Sequence, residues 1–136
     1  MKLTRILLAA GMAFTFTACS ESGPAEINLG KDQCDNCKMT ITEKPYAAEL
    51  LTSKGRAYKF DDVSCLTMYE SANADKADGA TQYVVDFPTG EFVKKSQATL
   101  ITGGSIKSPM GGNTQAYKDA AQAEKAAAEL GATLTK

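Results

Sequence analysis

The sequence predicts an α+β fold in which two units, each a strand hairpin followed by a helix, succeed one another along the chain. Short β-branched and aromatic segments are separated by turn residues, which is the pattern of antiparallel hairpins. Two longer segments have the caps and the spacing of helices. Long strands and long helices do not alternate, which argues against a parallel nucleotide-binding sheet. The sequence therefore indicates small antiparallel sheets with one helix each.

The first unit is predicted from one hairpin and one helix. Residues 46–51 and 57–60 are strand candidates, and residues 52–55 between them have the composition of a turn. Asp61-Asp62 then offers an N-cap and a negative first turn for a helix that runs to about Ala72.

The second unit is predicted from further strands and a second helix. Its strand candidates are residues 83–87, 91–93, 98–102 and 132–134. The helix is predicted to run from Asn113 or Thr114 to Leu130. Gly131 follows at the position where helices commonly end in a left-handed residue. One stripe of this helix carries small residues suited to close packing on a sheet: Ala116, Ala120, Ala123, Ala127 and Leu130.

Residues 1–18 have the features of an export signal. Lys2 and Arg5 form a short positive region, and the apolar stretch that follows is too short for a membrane-spanning helix. Small residues approach Cys19, and a polar, flexible segment follows it, which resembles a lipobox that leaves a lipidated cysteine as the first residue. Ordinary cleavage, with Cys19 as a free or disulfide-bonded thiol, is the alternative.

After removal of the signal peptide, the exported chain would consist of a tether followed by one domain. We expect a flexible tether over residues 19–31, because Gly23-Pro24 and Gly30 break regular structure. A single metal-binding domain is expected over residues 32–136, with the junction between its two units near 76–82.

Charge and composition exclude several classes of function. Loss of Lys2 and Arg5 would change the formal net charge from −1 to −3, and no basic stripe is present, which argues against a nucleic-acid partner. The chain has no histidine, so it lacks the commonest catalytic base and the commonest ligand for zinc and Cu(II). We therefore expect a binding protein and not an enzyme.

The strongest chemical motif joins Cys34, Cys37 and Met39. Two thiolates on one turn can grip a single metal ion, and a thioether adds a soft donor that favours Cu(I) over oxygen-seeking cations. A redox pair or an inert disulfide is the alternative. A redox pair usually opens a helix, whereas Thr40-Ile41-Thr42 follows here.

Two further features contain soft donors. Cys65 lies about one turn into the first predicted helix, where the helix dipole would lower the pKa of its thiol. Its alternative role is that of a small buried apolar residue. Met110 stands between Pro109 and Gly111-Gly112 on a predicted surface turn, as a metal ligand, a docking contact or an ordinary loop residue.

Taken in order, the motifs resemble those of the NosL family, the copper-chaperone lipoproteins of nitrous oxide reductase maturation. They are the lipobox Cys19, Cys34-Asp35-Asn36-Cys37-Lys38-Met39, Phe60-Asp61-Asp62-Val63-Ser64-Cys65, Asp86-Phe87-Pro88-Thr89-Gly90-Glu91 and Ser108-Pro109-Met110-Gly111. The resemblance covers nearly the whole mature chain. It implies a fold of two small ββαβ units packed together, similar to part of the organomercurial lyase.

The resemblance also implies a function and a ligand set. Cu(I) would be bound on the periplasmic side of a membrane and passed toward nitrous oxide reductase, with an ABC-type maturation complex as docking partner. The implied ligands are Cys34, Cys37, Met39 and Met110, with Cys65 as a weaker candidate. Competing interpretations are a thiol-disulfide oxidoreductase that uses Cys34 and Cys37, and a structural lipoprotein.

This sequence departs from the family near the second methionine turn. Several family members have a histidine there, whereas this chain has Gly111-Gly112-Asn113. The departure favours an all-sulfur site, with Asp61 or Asp62 as a candidate oxygen donor.

Overall fold

The computed structural model describes residues 23–135, so the predicted signal peptide and Cys19 lie outside the described residues. Strands in this part of the chain are β1 (Ala48–Leu51), β2 (Ala57–Phe60), β3 (Thr81–Val85), β4 (Phe92–Lys94), β5 (Thr99–Thr102), β6 (Thr114–Tyr117) and β7 (Thr133–Thr135). The helices are α1 (Val63–Ala72), α2 (Ala74–Ala77) and α3 (Ala120–Leu130). No helix within residues 23–135 is long and apolar enough to span a membrane.

The first unit is built on a four-stranded antiparallel sheet in the order β2-β1-β3-β4. The β1–β2 hairpin pairs Ala48 with Phe60 and Leu51 with Ala57, so its turn lies at the Leu51 end. Helix α1 buries Leu66 and Tyr69 against this sheet, and the Tyr69 ring lies 5.2 Å from that of Phe60. This packing fixes the start of α1 beside the end of β2.

The second unit repeats the arrangement with a three-stranded antiparallel sheet in the order β6-β5-β7. Helix α3 begins at Asp119, whose side chain accepts hydrogen bonds from the backbone N–H groups of Ala121 and Gln122. It ends at Gly131, which adopts the left-handed conformation (φ 67°) that the cap requires. A parallel bridge between Asp86 and Ala116 connects the two sheets.

The predicted α+β class is confirmed, because each unit is a hairpin followed by helix and strand. The predicted start of the second helix is wrong. Residues 114–117 form β6, since they pair with β5 and the hydroxyls of Thr102 and Thr114 lie 2.9 Å apart. Ala116 therefore belongs to the sheet and not to the alanine stripe of α3.

The expected junction near 76–82 is also wrong, because strand pairing places the division later. Strand β3 pairs with β1, matching Ala48 with Val84, and β4 pairs with β3. The β3–β4 hairpin, which was predicted to open the second unit, thus completes the first sheet. Sequence spacing alone does not tell which earlier strand a new strand will join.

The expected tether over residues 19–31 is too long, because the folded domain begins before residue 31. Ile27 is buried in the core of the first unit, and the backbone N–H of Ala25 donates to Glu49 Oε1 at 2.9 Å. The Nζ of Lys59 donates to the carbonyl of Glu26 at 2.5 Å. Residues 25–27 are therefore bound to the domain, because burial of Ile27 outweighs the local effect of the glycines.

Candidate metal centre

The two cysteines of the CxxC motif lie on a tight loop closed at its base. Gln33 and Thr40 form an isolated antiparallel bridge, and within it the N–H of Cys34 donates to the carbonyl of Met39 at 2.8 Å. Lys38 takes a left-handed conformation (φ 67°), which lets the loop return on itself. The N–H of Cys37 points at Cys34 Sγ at 3.4 Å. The loop geometry thus brings both cysteines toward one point.

This loop is attached to the edge strand β2 through Lys59. The N–H of Lys59 donates to Asp35 Oδ2 at 2.8 Å, and the N–H of Asp35 donates to the carbonyl of Lys59 at 2.8 Å. The Nζ of Lys59 forms an ion pair with Asp32 at 2.6 Å. These bonds use the outer edge of β2 and hold the CxxC loop at the Phe60 end of the sheet.

The third cysteine comes from helix α1, which starts at the same end. Asp62 caps this helix by accepting from the N–H of Ser64 at 2.9 Å, which places Cys65 in the first turn. The sulfur atoms of Cys34, Cys37 and Cys65 and a carboxylate oxygen of Asp61 all lie within 4.8 Å of one another. Four donors from three separate segments therefore converge on one volume.

Burial dominates the electrostatics of the thiols. Cys34 and Cys65 are fully buried, and Cys37 is half-buried with its sulfur 3.5 Å from Asp61 Oδ1. Burial raises the pKa of the Cys37 thiol above its ordinary value. It also raises the pKa of Cys65, to which the nearby Cys34 adds. The expected lowering of the Cys65 pKa by the helix dipole is therefore wrong, because desolvation outweighs the dipole.

The methionine turn of the second unit is tied to the start of α1 by Asp62. One carboxylate oxygen, Oδ1, caps the helix, whereas Oδ2 accepts from the hydroxyl of Ser108 at 2.6 Å and from the N–H of Met110 at 3.0 Å. Burial alone would raise the pKa of Asp62, but these hydrogen bonds outweigh burial and lower it. The carboxylate of Asp62 thus joins the turn to the helix that carries Cys65.

Gly112 is required for this close approach. A Cβ atom at position 112 would lie 2.4 Å from Asp62 Oδ1 and 2.7 Å from the Cβ of Ser64. Any side chain here would therefore push the turn away from the start of α1. Gly112 thus has a packing role that the sequence pattern did not reveal.

The methionines of the predicted ligand set lie at the surface. Met39 is 58% exposed and Met110 is 38% exposed, whereas Cys34 and Cys65 have no exposed surface. The structure thus brings together the three cysteines and places each predicted methionine on a segment bonded to a cysteine-bearing element. Cys65 was expected to be the weaker candidate, yet it stands among the central donors.

Asp61 is the group that sequence reasoning underrated. It precedes the N-cap residue and is 2% exposed, although it follows directly on a strand end. A pair of acidic residues before a helix is ordinarily interpreted as a capping signal, which hid the position of the first one beside the three cysteines. The spacing of Asp61 and Cys65, about one helical turn, was the available sign that they face the same point.

Comparison with known proteins places this constellation in a family. A model of the NosL family matches residues 24–136. The chain belongs to the NosL family. The resemblance read from the motifs is thereby confirmed.

One solved structure shows the same fold over most of its length. The chain is similar to the crystal structure of the copper chaperone NosL from Shewanella denitrificans, with a TM-score of 0.72 and 21% sequence identity. The match covers 84% of this chain and 92% of that chain. No curated protein matches the chain.

The donor set selects a class of metal ion. Three thiols form a soft site for a monovalent or divalent ion with thiophilic character, and one carboxylate adds a harder donor. Met39 and Met110 expose thioethers on segments bonded to the elements that carry the cysteines, and thioethers are weaker and more easily displaced donors than thiolates. Such an arrangement suits an ion that must be held and then released.

Proposed function

We propose that this NosL-family chain is a Cu(I)-delivery protein and not an enzyme. The observation that carries the proposal is the convergence of Cys34, Cys37 and Cys65 with Asp61 in one cluster. The similar protein from Shewanella denitrificans is named a copper chaperone, which supports copper as the cargo. Cu(I) is the oxidation state that prefers thiolate and thioether sulfur.

The proposed ligands differ in strength and in position. Cys34, Cys37 and Cys65 supply thiolates in the buried part of the site, and Met39 and Met110 supply thioethers at its rim. The thioethers are weak enough to be replaced by a donor of the recipient. Cargo would therefore leave by exchange at the exposed rim while the thiolates still hold it.

The destination and the anchor also belong to the proposal. Lipidation of Cys19 would hold the domain on the periplasmic side of a membrane, and the cargo would go to nitrous oxide reductase through its ABC-type maturation complex. A domain with mature net charge −3 has no overall electrostatic attraction to a bilayer, so acyl chains would supply the attachment.

An anaerobic Cu(I) competition titration against a chromophoric Cu(I) chelator tests the proposal. The reduced mature chain should bind one equivalent tightly, and it should bind Zn(II) much more weakly, because the site lacks histidine and thioethers are poor zinc ligands. The matched control is the triple variant Cys34→Ser, Cys37→Ser, Cys65→Ser, which should lose tight binding.

The same preparation separates the competing functions. A thiol-disulfide oxidoreductase would show a poised reduction potential in exchange with glutathione and little dependence on copper. A structural lipoprotein would show neither tight Cu(I) binding nor a poised potential. Preference for zinc under reducing conditions would contradict copper delivery.

A further inference from the structure

One end of the four-stranded sheet collects basic side chains. Lys54 and Arg56 are exposed in the β1–β2 turn, and Lys76 of α2 lines the same surface cavity. The guanidinium of Arg56 lies 4.8 Å from the centre of the Tyr58 ring, and Lys76 Nζ lies 5.6 Å from it. These cation–π contacts hold both cations on this face.

A second cavity adjoins the first and adds another cation. Lys94 lines it together with Thr52 and Ser53, which also line the first cavity. We refer to Lys54, Arg56, Lys76 and Lys94 as the basic end. Its four positive charges are opposed by two carboxylates that line the first cavity, Asp75 and Asp78. The basic end is therefore locally positive on a mature chain whose net charge is negative.

The N-terminal segment enters the domain at the basic end. Gly23 lines the second cavity with Ser53 and Lys94. From there the chain runs along the sheet, bonding to Glu49 at residue 25 and to Lys59 at residue 26, and it reaches the metal centre at Cys34. The point of entry and the metal centre thus lie at opposite ends of this segment.

Strand β2 runs in the same direction. It starts at Ala57 beside the β1–β2 turn and ends at Phe60, directly before Asp61 of the metal centre. Four strand residues span about 13 Å. The sheet therefore separates the basic end from the metal centre by at least its own length.

The link to the proposed anchor is too short to let the domain turn freely. Cys19 and Gly23 are four residues apart, which a fully extended chain spans in at most about 14 Å. An acyl group on Cys19 would therefore keep Gly23, and the basic end around it, within reach of the lipid headgroups.

We propose that the basic end docks on anionic phospholipid headgroups and that the metal centre consequently faces away from the bilayer. This inference rests on the proposed lipid anchor at Cys19. Clustered lysine and arginine side chains near a bilayer are attracted to anionic headgroups over about one Debye length. The orientation leaves Met39 and Met110 open to a recipient in the aqueous compartment.

Fluorescence quenching of the full mature lipoprotein, reconstituted in vesicles, tests the orientation. The chain has no tryptophan, so single substitutions report one position each. Ser53→Trp marks the basic end, and Thr40→Trp marks the metal end; both side chains are exposed. In vesicles of phosphatidylcholine with phosphatidylglycerol, brominated lipids should quench Ser53→Trp about twofold or more relative to Thr40→Trp.

Charge reversal tests the partner. Reversing Lys54, Arg56, Lys76 and Lys94 to Glu should reduce the difference between the two probes to what the short anchor alone imposes, and so should phosphatidylcholine alone or high salt. The matched control reverses the exposed Lys107, Lys118 and Lys125, which lie outside the cavities of the basic end, and should preserve the difference.

Three results would overturn the inference. Equal quenching of both probes on bound protein excludes the orientation, and a difference that charge reversal leaves undiminished excludes the anionic headgroups as its cause. Protein that fails to bind even phosphatidylcholine vesicles lacks the anchor, which removes the basis of the inference while leaving Cu(I) binding to be judged by the titration.

Discussion

At the scale of single residues, the proposed donors of the candidate metal centre differ in accessibility. Its thiols are largely buried, and the predicted thioethers are exposed. Burial raises the pKa of Cys37 and Cys65, which is opposite to the lowered pKa of a reactive redox thiol. A raised pKa disfavours the thiolate that starts disulfide exchange, and a metal ion bound by these thiols would have to displace their protons. The residue chemistry therefore argues against rapid disulfide exchange.

Replacement of the rim methionine by leucine tests the contribution of the thioether. Met110→Leu keeps size and apolarity, so folding should be unchanged, but Cu(I) affinity should fall by about one to two powers of ten, or about 1.4 to 2.8 kcal/mol. Met39→Leu should show the same loss, and Cys34→Ser or Cys37→Ser a larger one. Competition titration measures each affinity. Wild-type affinity for Met110→Leu, with a loss for Met39→Leu, would confine the metal to the CxxC loop.

A buried carboxyl group away from the metal centre gives a prediction on pH. Glu49 has no exposed surface, and its Oε2 has no hydrogen-bond partner among the described residues. Burial raises its pKa despite the bond from Ala25 and the charge of Lys59. A raised pKa in the folded state means that stability is full below the unfolded value, about 4.3, and declines as pH rises through the folded value.

Glu49→Gln removes this titration. The free energy of unfolding of wild type minus that of Glu49→Gln should therefore decrease with rising pH from about 4.3 to the raised folded pKa and stay constant above it. Urea unfolding at a series of pH values measures the difference, and taking a difference cancels the other carboxylates. A constant difference across the acid range would show that Glu49 titrates normally.

At the scale of elements, the side chain of Asp62 connects the start of α1 with the Ser108–Met110 turn. Ser108 and Met110 follow Asp62 by 46 and 48 residues in the sequence. The N-cap of α1 was predicted correctly from Asp61-Asp62, because capping is a local rule. The second use of the same side chain, binding the Ser108–Met110 turn, depends on how the two units pack, which no local rule specifies. The start of α3 was missed for the same reason, since β6 exists only through its pairing with β5.

Asp62→Asn isolates the second use. The asparagine amide keeps an oxygen that can cap α1. It replaces Oδ2, which accepts from the N–H of Met110, by an NH2 group that cannot accept this hydrogen bond. We expect Asp62→Asn to weaken Cu(I) binding about as much as Met110→Leu does, because it acts by displacing that thioether. In the Met110→Leu background the same change should cost little more, and this double-mutant cycle measures the coupling.

The control for this cycle uses the other helix cap. Asp119 caps α3 through two backbone N–H groups and lies outside the metal centre. Asp119→Asn should leave Cu(I) affinity unchanged. Additive losses for Asp62→Asn and Met110→Leu would mean that Asp62 acts through its charge and not through the position of the turn.

At the scale of the whole molecule, the sequence predicted the fold class and the cysteines of the site, because hairpin patterns and soft donors are visible residue by residue. The sequence prediction misplaced the junction between the units and the end of the tether. The junction depends on the pairing of β3 with β1, and the end of the tether depends on the burial of Ile27 in the core. Asp61 was named only as one of two candidate oxygen donors. The distinction between it and Asp62 appears only when the strand end and the helix start meet.

The lipid anchor is the prediction that decides where the molecule works. Cys19→Ser removes the proposed acylation site, and the four cations of the basic end, opposed by Asp75 and Asp78 on a chain of negative net charge, would not hold the domain on a bilayer by themselves. The variant should lose labelling by a fatty-acid analogue and appear in the soluble periplasmic fraction, whereas Cys65→Ser should remain labelled and membrane-bound. Because the candidate metal centre, formed by Cys34, Cys37, Asp61 and Cys65, does not include Cys19, purified Cys19→Ser should still bind Cu(I) with wild-type affinity. A Cys19→Ser chain that is still processed and stays with the membrane would show that something other than an acyl group holds the domain there.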